Sequence, residues 1–86
     1  MEVVRVYETK DEWVEWVKID DNVYLSAHTT NKRYSRAMLK AILKTFLQFK
    51  DIYTILPLLY LVDFYKNHAN VELIDKEIKA YRIWRS

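Results

Sequence analysis

Two adjacent carboxylate pairs, a Ser-x-His step, two histidines and a block of cations are the groups in this chain whose types and spacing could do chemistry. Asp11/Glu12 and Asp20/Asp21 offer paired carboxylates for acid and base work. That work needs burial or a neighbour to split the two pKa values. Both pairs fall in predicted turns, so exposed carboxylates of ordinary character are expected. Ser26 and His28 are two apart on a predicted strand and share a face, which permits a Ser-His pair. The sequence supplies no third residue and no oxyanion loop for it. His28 and His68 would need carboxylate co-ligands that the sequence does not place, so no metal site is expected. Cysteine is absent, which removes thiolate zinc sites, disulfides and cysteine nucleophiles together. Glycine is absent too, and the usual phosphate-cradling and dinucleotide fingerprints go with it. No cofactor is expected.

The elements that must position these groups change period along the chain. Val3 to Glu8 alternates β-branched residues with Arg5 and Tyr7 and reads as a strand. Glu12 to Ile19 favours a strand, while Thr9-Lys10-Asp11-Glu12 has the form of a capping box that opens a short helix. Asp20-Asp21-Asn22 supplies a turn, and Val23 to Thr29 a third strand. Over Tyr34 to Phe49 the apolar residues Leu39, Ile42, Leu43 and Phe46 take helical spacing, with Ser35 or Thr30 as the cap. Asp51 to Leu56 is a short buried strand. Pro57 is suited to the first position of a helix running to His68, with Leu58, Leu61, Val62 and Tyr65 inward and Asp63 and Lys66 outward. Val71 to Ile74 and Ile78 to Trp84 close the chain as a hairpin or one bent strand. The fold class is α+β: a three-stranded antiparallel meander, then helix, strand, helix, strand.

Charge and aromatics are segregated along this order. Residues 1–30 hold seven acids and three bases, residues 31–50 no acid and six bases, and residues 51–86 five of each. Lys32, Arg33, Arg36, Lys40 and Lys44 therefore form a basic block, a candidate site for an anion or an acidic partner. The competing reading is a solvated helix face that complements the acidic first third. Lys32, Arg33 and Arg36 also crowd a helix N-terminus, where each exposed cation costs roughly 0.3 to 1 kcal/mol unless an anion offsets it. Trp13 and Trp16 have opposite parity, so on a regular strand one indole faces the helices and the other faces away, towards solvent or a partner. Both are candidate interface aromatics. In the alternative, a helix from Asp11 to Lys18, they share one buried face.

The order βββ-α-β-α-β(β), with two local stretches, resembles the C-terminal two-thirds of the GNAT fold, the GCN5-related N-acetyltransferases. Val23-Tyr24-Leu25-Ser26-Ala27-His28 followed by Arg36-Ala37-Met38-Leu39-Lys40-Ala41-Ile42-Leu43 is similar to the passage from a strand into the acetyl-CoA-binding helix. Leu61 to Ala69 is similar to the late helix, and Ile78 to Trp84 to the last strand. The resemblance implies an acetyl-CoA site and, at Tyr65, a tyrosine that protonates the leaving thiolate. The departures imply a degenerate relative. Thr30-Asn31-Lys32-Arg33-Tyr34-Ser35 stands in the pyrophosphate loop with Arg33 and Ser35 where the glycines fall, the preceding strand offers no glutamate, and Ala69-Asn70 replaces Gly-Phe.

These readings lead to one domain, residues 1–86, that is not an enzyme and works by binding another protein. An atypical acetyltransferase using Tyr65, and a nucleic-acid binder using the basic helix, are the alternatives. A small, glycine-free chain resembling a stripped enzyme fold suggests a virus or phage source, with a host factor or virion component as partner. Strand edges that the missing elements would cover suggest a homodimer. Ile52 to Val62, the longest nearly apolar stretch, falls short of the roughly 20 residues that span a bilayer, and Met1-Glu2-Val3-Val4-Arg5 does not read as a secretory signal. No membrane partner is expected, and the default location is the cytoplasm, the host's if the source is viral.

Overall fold

A computed structural model describes residues 1–55 and 57–85. The elements are β1 (Glu2–Glu8), β2 (Glu12–Ile19), β3 (Asn22–Thr29), α1 (Arg36–Gln48), β4 (Asp51–Ile55), α2 (Leu59–Lys66), β5 (Asn70–Asp75) and β6 (Ala80–Trp84). The strands form one sheet in the order β1-β2-β3-β4-β6-β5, and all neighbours are antiparallel except β3 and β4. The α+β class, the meander and the helix-strand-helix order are as the sequence predicts. Leu56, the expected last residue of the fourth strand, lies outside the described residues.

Residues 12–19 are a strand, paired on both sides. The Thr-x-x-Glu pattern caps a hairpin loop instead of a helix: Thr9 Oγ1 accepts from the amides of Asp11 and Glu12, both at 3.2 Å. The next hairpin turns at Asp20, whose φ of 56° lies in the left-handed region that Asp tolerates better than most side chains.

Helix α1 starts at Ser35, whose Oγ accepts from the Met38 amide. Its buried stripe is Met38, Ala41, Ile42, Thr45 and Phe46, so Leu39 and Leu43, expected at its centre, lie half-buried on its flank. Helix α2 begins later than expected. Leu58 is its N-cap, accepting from the Leu61 amide, and Pro57 precedes the cap rather than opening the helix. Leu58 is correspondingly exposed, whereas Leu61, Val62 and Tyr65 are buried. The helix closes at Asn67 through amide bonds to Asp63 and Phe64 without any glycine.

Both helices pack on one face of the sheet. Val14, Trp16 and Leu25 of the meander and Ile52 and Ile83 of the second half join Met38, Ile42 and Phe46 of α1 and Leu61 and Tyr65 of α2 in one cluster. Phe46 and Tyr65, with ring centroids 5.6 Å apart, tie the helices together across it.

Candidate functional site

The parallel join between β3 and β4 holds at a single pair, Tyr24 beside Tyr53. Past it the strands part, and peptide groups that would bond across a closed sheet border a cleft of about 500 Å³. Ser26 and Thr54 line its strand walls, and Leu61 and Tyr65 of α2, with Tyr34 from the loop before α1, line the rest. Burial pushes the Tyr65 phenol well above the usual tyrosine range, and burial raises Tyr34 as well. Both stay protonated at neutral pH and can donate a hydrogen bond but cannot serve as bases. The Tyr65 ring is core, as its helix position implies, and it also forms part of the cleft wall.

At the start of α1 the chain provides its own anion. Glu12, expected to be an exposed turn carboxylate, is only 7% exposed, because the Thr9 turn folds it beneath the sheet's helix side. Its Oε1 accepts from the Tyr7 hydroxyl at 2.8 Å and from Ser35 Oγ at 2.7 Å. Oε2 is buried with no partner among the described residues. The bond to the Glu12 carboxylate is the main reason the Tyr7 phenol is held above its ordinary value. In the first turn the Met38 amide goes to Ser35 Oγ and the Leu39 amide to the Ser35 carbonyl. A carboxylate next to a helix start and a glycine-free loop in front of it oppose a phosphate there.

The cations divide. The Arg33 guanidinium lies 4.0 Å over the ring of Tyr60, whose hydroxyl accepts from the Tyr34 amide. Lys32, Arg36, Lys40 and Lys44 are exposed, and none makes an ion pair among the described residues. The acidic first third thus does not neutralise them through direct contact: its partners at ion-pair distance are Arg5 with Glu8 and Glu15.

The two tryptophans separate as their parity requires. Trp16 is 5% exposed, edge-on to Phe49 at 4.9 Å, and this burial withdraws it from the candidate interface set. Trp13 is half-buried on the opposite face, beneath the Arg5 guanidinium at 4.3 Å and beside His28. His28 and Ser26 share that open face and are exposed. His68 follows α2 and stacks near Phe64 at 4.8 Å, so the sheet separates the two histidines. Among the described residues no three His, Cys, Asp or Glu side chains gather for a metal ion, and no helix is long and apolar enough to cross a membrane.

Sequence reasoning missed three features: the anchoring role of Glu12, the cleft, and the extent of the open face. The first had a signal in Thr9-x-x-Glu12, and the third in Tyr24 and Tyr53, which alternate with buried neighbours. No family model, curated protein or solved structure matches this chain.

Proposed function

We propose that this protein is a non-catalytic binding module whose cationic line on α1 meets an acidic surface of another protein. The observation that carries the reading is the line itself: Arg36, Lys40 and Lys44 recur every four residues along an exposed stripe and have no acidic partner at ion-pair distance among the described residues. With Glu12 seated at the helix start, these cations are not needed to balance an anion bound there. Exposed cations of one sign along a rigid helix steer and orient an acidic partner more than they stabilise the fold. The test is a titration with a labelled oligoglutamate peptide and, separately, a labelled single-stranded oligonucleotide. Arg36→Gln, Lys40→Gln and Lys44→Gln together should weaken peptide binding at least about tenfold, the effect of losing a few charge contacts, while leaving the fold intact. Unchanged affinity removes the reading. Tighter binding of the oligonucleotide with a steep loss in salt favours the nucleic-acid alternative, because each neutralised phosphate releases counterions.

A second reading is an atypical acetyltransferase, and the cleft at the β3–β4 parting favours it. It holds about 500 Å³ between the parted strands, and Tyr65 lines it as a donor. The loop and Glu12 weigh against the phosphate end of such a ligand. A rise in unfolding temperature with excess acetyl-CoA, lost in Tyr65→Phe, would place this reading first.

A further inference from the structure

The cleft between β3 and β4 is lined without charge. Val17, Ile19, Leu25, Ile55 and Leu61 give it hydrocarbon walls, and among the described residues no carboxylate, ammonium, guanidinium or imidazole lines it. The charged neighbours of its lining are turned away or engaged. Lys18 stands between Val17 and Ile19 and alternates to the opposite face of β2. Glu15, opposite Ser26, pairs with Arg5, and Asp51, two residues before Tyr53, pairs with Arg82. Inside this surround two hydroxyls have no use within the chain. Tyr65 is 2% and Thr54 6% exposed, and neither hydroxyl has a hydrogen-bond partner among the described residues. The unbonded polar atoms that are sealed off there are Glu12 Oε2, Trp16 Nε1 and Arg85 Nε, so the Tyr65 and Thr54 oxygens open on the cleft that their residues line. Tyr34 adds a third hydroxyl, 3.5 Å from the Ala27 carbonyl, at the far limit of a hydrogen bond. A buried hydroxyl left without a partner is costly, and native proteins supply one.

We propose that the cleft binds an uncharged, largely hydrocarbon small molecule that presents a carbonyl oxygen to the Tyr65 hydroxyl, with Thr54 and Tyr34 as further donors. The volume of about 500 Å³ lies within the roughly 300–1,000 Å³ of small-molecule sites. The lining decides the class. A carboxylate or ammonium group entering here leaves water and meets no counter-charge. A hydrocarbon without an acceptor leaves Tyr65 and Thr54 unbonded. Both phenols stay protonated at neutral pH, and a phenol oxygen, its lone pair drawn into the ring, gives a hydrogen bond more readily than it takes one. An ester, ketone or amide on an aliphatic body meets all three conditions. This site is independent of the cationic line on α1 and makes no use of the phosphates of acetyl-CoA.

Methyl octanoate, sodium octanoate and octylammonium chloride, matched in chain length and different in charge, test this in NMR titrations of the full chain. The ester should bind and shift the resonances of Leu25, Leu61 and Tyr65, and both ions should bind at least about tenfold more weakly. Tyr65→Phe and Thr54→Val each remove a hydroxyl and keep the shape of the side chain. Each should weaken the ester about two- to tenfold, the range of one net hydrogen bond, and leave the unfolding temperature of the ligand-free chain unchanged or higher, because no internal bond is lost. Ester affinity unchanged in both variants overturns the proposal, and a fall in their ligand-free stability would then show that the hydroxyls serve the fold. Octanoate binding as tightly as the ester overturns it too, as does an ester that does not bind at all, which leaves a gap filled by water. Stabilisation by acetyl-CoA with none by the ester also overturns it and assigns the cleft to the acetyltransferase reading.

Discussion

The two faces of the sheet are built from the same strands and differ in what alternation has given them. On the helix side the residues Trp16, Leu25, Ile52 and Ile83 are buried to within a few per cent against α1 and α2. On the other side their neighbours Tyr24, Tyr53 and Ile55 are as large and as apolar in bulk, yet half-buried or exposed. The first face is a core, and the second mixes these large side chains with exposed Ser26 and His28 and the Asp51–Arg82 pair. Apolar area fixes the fold only where a covering element meets it, and the remainder is available for association.

Truncating one isoleucine on each face should separate them most sharply. Ile42 is fully buried between α1 and the sheet, so Ile42→Ala removes packed methyl and methylene groups and leaves a cavity, costing about 2–5 kcal/mol in denaturant unfolding. Ile55→Ala, at a half-exposed position, should change monomer stability by less than about 0.5 kcal/mol. Equal costs for the two variants, measured at a concentration where the chain is monomeric, would break the distinction between the faces.

Glu12 gives the next effect in size. Among the described residues it is the one buried carboxylate, and it links β1, β2 and the start of α1 through Tyr7 and Ser35. Glu12→Ala leaves both hydroxyls without their acceptor and should destabilise by about 1–3 kcal/mol. Ser35→Ala removes the α1 cap as well as its bond to Glu12 and should cost about 1 kcal/mol. The two losses should not add, because they share a bond, and a double-mutant cycle with no coupling energy would show that Glu12 does not anchor the helix.

The sequence told the strands and α1 plainly and the role of single residues poorly, for a physical reason. The apolar residues of 12–19 and the helical spacing of Leu39, Ile42, Leu43 and Phe46 report local geometry, which is what periodicity measures, but they set the α1 stripe off its true centre at Met38, Ile42 and Phe46. Trp13 and Trp16 were separable by parity alone. The Thr9-x-x-Glu12 pattern reads as a helix capping box yet caps a hairpin loop, because the same hydroxyl-to-amide bonds serve both. Where Glu12 ends up depends on Ser35, 23 positions later, and no local pattern carries that. The cleft is equally non-local: it exists because β3 and β4 meet only at Tyr24 and Tyr53 and then diverge. Pro57 marked a helix start correctly in kind and early in position, since Leu58 takes the cap without a side-chain acceptor.

The smallest effect lies at the rim of the open face. Hydrogen bonding from Arg82 holds the Asp51 carboxyl below the usual carboxylate range. A depressed folded-state pKa adds stability that is present above the ordinary aspartate value of about 3.9 and is lost as the pH falls through the lower folded value. Asp51→Asn should therefore flatten part of the acid limb of the unfolding temperature below about pH 4 and leave neutral behaviour nearly unchanged. With side chains 38% and 44% exposed, solvent and salt screen the pair, so the difference should stay under about 1 kcal/mol in the monomer. An acid limb that is identical in Asp51→Asn and the parent chain would show that the pair adds nothing to stability.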